Sequence, residues 1–359
     1  MDVLEADAVE AAGDAAKALR IMARRPLMAD GRPFWRPWRI AYLQQLCELD
    51  PVPGWVVSRW ILAQATQSLR HGDVRRALTR VVELRGGVDR LPGLDAADAE
   101  AKVVDHDWVF RQLLLFETGA LGSFLRGSAS PALLQRADRV EEWARAPMGA
   151  YRLRRRTPAT VVWDDVATGA EVVVPNTGCS LLVLPGEHVI GRLVPAGAGQ
   201  MFESAPLVVP EQVAQRVATE PASWFEALRA ERDERGSCAV VTSGHQTAVV
   251  TDVRMELWVT ILFPGAGRPW WTFPTPEEIV DTVLGEAAEE RRRTSPPGHD
   301  EVDLWPCLAA ALLEPGVGPA LAARARGEDA EAVAHLAEVL AEPAGEVCRR
   351  AMTPRADAA

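Results

Sequence analysis

Hydrophobic periodicity changes character at Pro147-Met148-Gly149, and this change constrains the fold of the 359-residue chain more than any other feature. Before it, apolar residues recur at three- and four-residue spacing, the period of a helix with one buried face. Ile40, Leu43, Leu46 and Cys47 form one such stripe, and the Asp50-Pro51-Val52-Pro53-Gly54 stretch stops it. A helix over Val74–Leu84 ends at Gly86-Gly87, and Asp95–Thr118 reads as another. Ser130-Pro131 opens one more over Pro131–Arg145, with Ser as the cap and Pro at the first helical position. Residues 1–24 read as an amphipathic or Ala-rich helix.

After the change, short β-branched runs alternate with turn residues. Ala159–Trp163, Ala170–Val174, Ser180–Leu184, His188–Val194 and Gln200–Val209 read as strands, spaced as in a small barrel or curled sheet. Pro210–Arg235 returns to helix with a break near Pro221. A second β stretch is expected at Cys238–Thr242, Thr247–Val253 and Glu256–Phe263. Thr275-Pro276-Glu277-Glu278 carries helix-opening chemistry. The expected architecture is α+β. It has a helical domain over 1–148, a β-rich α+β domain with packed helices over 149–298, a helical segment over 299–352, and a disordered tail over 353–359.

Composition narrows the function. Formal charge is −11, which disfavours binding a phosphate backbone as the main task. Lys17 and Lys102 are the only lysines, so arginine carries nearly all positive charge, the codon bias of a GC-rich genome. The 5 cysteines are widely spaced and form no C-x-x-C, which argues against a disulfide framework or a cysteine zinc site. The acidic start has no leader pattern, and no apolar run reaches the roughly 18–20 residues of a membrane span. The cytoplasm is the expected location, with no membrane partner.

Four groups of residues are candidates for chemistry or binding. Asp164, Asp165 and Glu171 flank a turn between two strands, where catalytic acids are often placed. No lysine follows Glu171 at the spacing a metal-dependent nuclease would use, and Asp side chains are also ordinary turn formers. Cys179 or Cys238 with His188 or His245 is a candidate thiol–imidazole pair, set against a small buried thiol. Arg152, Arg154, Arg155 and Arg156 form a basic cluster at the join between helical and β segments. It reads as a phosphate or acidic-partner patch, or as a solvated linker. The chain has 12 tryptophans against 2 tyrosines. Trp270-Trp271 beside Arg268 lies among Gly/Pro turns and reads as a binding patch. The scattered histidines and the Asp105-His106-Asp107 run suggest no metal site, and no Gly-rich loop has phosphate-loop or dinucleotide form. No cofactor is expected.

The stretch Asp165-Val166-Ala167-Thr168-Gly169, followed by Val172–Val174, Ser180 and Gly191-Arg192-Leu193-Val194-Pro195, resembles a β module of uncharacterised bacterial proteins from high-GC genomes. Some of those carry a SEC-C zinc motif, whose cysteines are absent here. The resemblance implies accessory or regulatory duty. The expectation is therefore a non-enzymatic binding or regulatory protein acting on another protein. A hydrolase using Asp164, Asp165 and Glu171, or a Cys179–His pair, is the first alternative. A nucleic-acid adaptor through Arg152–Arg156 is the second.

Overall fold

A computed structural model describes residues 2–29, 31–67, 71–91, 93, 95–235, 250–253, 255–264, 273–292, 303–327 and 329–353. The architecture is α+β, as the change of periodicity implies. Among the described residues no single helix is long and apolar enough to cross a membrane.

Local signals place most of the helical boundaries. The Asp14 carboxylate accepts from the Lys17 N–H and splits the first 24 residues into two helices, Asp2–Ala11 and Ala15–Met22. Helix Pro37–Glu48 begins on its proline. Asp95 caps Ala96–His106, and the Ser130 hydroxyl accepts from the Leu133 N–H at 3.1 Å. Thr275 and Glu278 exchange hydrogen bonds of 2.8 and 3.3 Å at the start of Pro276–Arg292, a reciprocal capping box.

Two long helices expected from periodicity are broken instead. Asp107 interrupts 95–118. Its carboxylate accepts from the N–H groups of Val109 and Phe110 and is paired with Arg85, so a new helix, Trp108–Gln112, starts on a fully buried cap. That helix widens into one π turn, Leu113–Glu117. In 131–145 a left-handed Arg139 separates Pro131–Arg136 from Val140–Trp143.

Seven strands follow among the described residues: β1 (Gly149–Arg156), β2 (Thr160–Asp165), β3 (Glu171–Pro175), β4 (His188–Gly191), β5 (Leu193–Ala196), β6 (Gly199–Phe202) and β7 (Leu207–Val209). Five of them form an antiparallel sheet in the order β3-β2-β1-β4-β7, with β3 and β7 as its edges. β5 and β6 pair as a separate hairpin that lies beside β3. One sheet face buries Tyr151, Leu153, Trp163, Val172, Val174 and Val189 with Phe202 of the hairpin. At one end of the other face, Ala150, Ile190, Leu207 and Val209 pack with Val213 and Val217 of helix Glu211–Thr219.

The strand pattern departs from expectation in five places, two of them splits: the expected strand His188–Val194 breaks at Arg192, and Gln200–Val209 breaks over 203–206. β1 was hidden in the arginine run read as a linker. Its Tyr151 and Leu153 point inward while Arg152 and Arg154 point out, with a bulge between Leu153 and Arg155. Ser180–Leu184 alternates in burial, with Leu181 and Val183 inside and Leu182 and Leu184 outside, but it is not a strand. Its N–H groups bond locally, Leu181 to Gly178 O at 3.1 Å and Val183 to Ser180 O at 3.0 Å, so no ladder forms. Gly178 starts this turn at φ +100°, where an added Cβ would collide with Val253. Finally, Met255–Leu262 is a helix rather than a strand, burying Trp258 and Leu262 four residues apart. A short apolar run carries no period that separates the two states. The other two runs of that expected β stretch lie outside the described residues, except Val250–Val253, which are irregular.

One apolar cluster joins residues far apart in sequence. It runs from Ala6, Tyr42, Trp60 and Trp143 through Val194 and Met201 to Trp258, Leu308 and Cys348. Buried ion pairs cross the same ground. The Arg59 guanidinium donates to Asp252 at 3.1 Å and to Phe202 O at 3.0 Å, and Thr177 donates to the same carboxylate at 2.8 Å. Arg39 is held between Asp7 and Glu10, and the Trp60 indole donates to Glu10 at 3.2 Å.

Candidate functional site

The sequence candidates on the β module meet on the outer face of the sheet. Strand register sets Glu171, Asp164, Arg152 and His188 in one transverse row across β3, β2, β1 and β4. Arg152, Arg154, Asp164, Asp165 and His188 line an open groove. The charges there are spent on one another. Arg152 pairs with Asp164 at 2.9 Å, Arg154 with Glu171 at 2.9 Å and Asp164 at 3.6 Å, and Arg155 with Glu171 at 3.9 Å. Asp165 is a corner former. One of its carboxylate oxygens accepts from the Ala167 and Thr168 N–H groups at 2.8 and 3.0 Å, and Gly169 closes the turn at φ +71°. Arg156 turns away from the row and donates to Val183 O near Asp303. The cluster is therefore a strand face matched by carboxylates, not a solvated linker.

Exposed pairs of this kind are worth about 0–1 kcal/mol. Arg152→Ala should thus lower stability by less than about 1 kcal/mol in urea denaturation. A loss several times larger would mean the row is a tight network.

Cys179 and His188 do not meet. Cys179 is buried with the inner-face cluster, whereas His188 shares the outward row of Arg152. Burial, with the nearby Asp252 charge adding to it, pushes the Cys179 thiol well above its ordinary pKa, which holds it protonated and poorly nucleophilic. Arg268, Trp270 and Trp271 lie outside the described residues, as do Cys238 and His245.

Sequence reasoning did not single out an aromatic-walled, ligand-sized chamber. It lies where helix Pro37–Glu48 faces the turn after helix Trp305–Leu312, and its volume is about 400 Å³. Its walls include Trp38, Tyr42 and Phe273, with Trp38 and Tyr42 stacked at 5.6 Å between ring centroids. Its charged and titratable lining is Arg36, Asp105, His106, Glu256 and Glu314, and Arg36 is ion-paired with Asp105. A second, smaller chamber of about 310 Å³ adjoins it and shares Arg36, Trp38 and Asp105 as a partition.

Glu314 is the unusual group in this chamber. It follows the C-terminal end of helix Trp305–Leu312, where the helix dipole disfavours a negative charge. Burial pushes its carboxyl from 4.5 up to about 7, against hydrogen bonds from Gln45 and Trp258 that pull it down. The Gln45 amide donates at 3.3 Å. Among the described residues no arginine or lysine pairs with Glu314. A carboxyl whose pKa is raised by burial, with no arginine or lysine partner among the described residues, is a group of the kind found at functional positions.

No known family, curated protein or solved structure matches this chain.

Proposed function

We propose that this chain is a non-enzymatic, ligand-binding regulatory protein whose ligand enters the chamber between helix Pro37–Glu48 and the turn that carries Glu314. The observation carrying this reading is an aromatic-walled cavity of about 400 Å³ with a half-buried carboxyl pushed up to about 7. Ligand sites are commonly concave, mostly apolar and furnished with a few polar groups. A ligand there would touch Trp38 from the first helical third, Met255 from the middle and Ala310 from the last helices. Its occupancy would stabilise their mutual arrangement by mass action, the elementary requirement for a regulatory readout.

The hydrolase and nucleic-acid readings gain less. On the outer sheet face Arg152 and Arg154 are paired with Asp164 and Glu171, which takes up the charges those readings would use.

A metabolite panel screened by thermal shift tests the proposal. The comparison is between the wild type and Ala41→Trp, because Ala41 lines the chamber and an indole there would fill it. Compounds that raise the wild-type Tm and leave the variant unmoved are the expected result. A panel in which no compound separates the two proteins overturns it.

A further inference from the structure

Resting on that reading, we infer that the chamber's ligand is a small organic cation, a protonated amine or quaternary ammonium, seated between Trp38, Tyr42 and Phe273 with its charge toward Glu314 and Glu256. The charge balance of the lining carries the argument. Arg36 is answered by Asp105, and among the described residues no arginine or lysine pairs with Glu256 at the exposed rim or with the half-buried Glu314. The two donors on Glu314, the Gln45 amide and the Trp258 indole, are neutral and neutralise no charge. Aromatic faces add to this preference, since the electron-rich face of tryptophan or tyrosine attracts a cation within about 6 Å, most strongly when both are desolvated. An anionic ligand would face two carboxylates and stacked rings, and a neutral one would leave the buried carboxyl unmatched.

The geometry also implies a proton linkage. A cation beside Glu314 favours its ionised form, so binding should release a proton near neutral pH and tighten as pH rises. His106 also lines the chamber, and its protonation would oppose a cation in the same pH direction. A substitution at Glu314 separates the two contributions.

The experiment is calorimetric titration with choline and with its neutral isostere, in which carbon replaces the quaternary nitrogen. Both are run on the full chain at pH 6 and pH 8. Choline should bind at least about tenfold more tightly than the isostere, and about tenfold more tightly at pH 8 than at pH 6. Glu314→Gln keeps an acceptor for Gln45 and Trp258, and it should abolish both the preference and the pH dependence. Trp38→Ala should weaken choline binding with the pH dependence retained. Equal binding of choline and isostere overturns the cation assignment and leaves the ligand chamber standing. So does a panel compound that passes the Ala41→Trp test while choline fails to bind. A pH dependence that survives in Glu314→Gln assigns it to His106 and overturns the role of Glu314. If choline does not bind and no panel compound distinguishes Ala41→Trp, both readings fall together.

Discussion

Arg192→Ala should lower the stability of the chain by about 3–5 kcal/mol, the range for removing one member of a buried charged network. Arg192 lies at the turn between β4 and β5, in the Gly191–Pro195 stretch of the resemblance, and its side chain is almost fully enclosed. Nε donates to the Gln112 side chain at 2.9 Å, and Nη2 donates to Glu117 at 3.0 Å. Nη1 donates to the carbonyl of Ala146. Gln112 in turn donates to Glu203, which Arg111 pairs at 3.1 Å, and the Trp224 indole donates to Glu117 at 3.1 Å. Alanine strands an amide, a carbonyl and a partly hydrated carboxylate at once. Arg192→Lys retains the charge but not the planar fork that serves three directions, so it should recover only part of the loss. Urea denaturation measures both variants. A loss below about 1 kcal/mol for alanine would show that water replaces the network without cost.

The second large effect is a pH dependence of stability that resides in Glu314. Its carboxyl titrates at about 7 in the folded chain against 4.5 ordinarily, so the folded state holds this proton more tightly than the unfolded one. The resulting stabilisation is complete below about pH 4.5 and is lost as pH rises through about 7. Glu314→Gln cannot ionise. It should match the wild type near pH 4 and exceed it by up to about 3 kcal/mol at pH 8 and above, taking 1.36 kcal/mol per pH unit. Chemical denaturation of both proteins at pH 4, 6 and 8 checks the sign. A difference that does not change with pH would remove the raised carboxyl of Glu314 from the account.

What could be read from the sequence was what short-range chemistry decides. The Asp165–Gly169 corner, the Ser130 and Thr275 caps and the break at Pro221 each depend on residues within four positions, and each is present. Where neighbours in space decide, reading failed. Arginines masked β1 because their partners Asp164 and Glu171 come from two other strands. Ser180–Leu184 has a strand's alternation but no edge to join. In the sequence Glu314 is one acid among many, followed by Pro315-Gly316. Its unusual state comes from Gln45, 269 residues away, and from Trp258 on a helix taken for a strand. The candidate site was therefore less legible than the fold, since it exists only where distant segments close over one another.

The apolar cluster that runs from Ala6 to Ala351 has a consequence for biosynthesis. During translation the first helices leave the ribosome long before Leu308 or Cys348 has been made. Faces such as that of Tyr42 and Leu46 must wait, uncovered or temporarily covered, for partners still to be polymerised. The nascent chain should engage holdase chaperones over most of its elongation and release them only when the last helices dock.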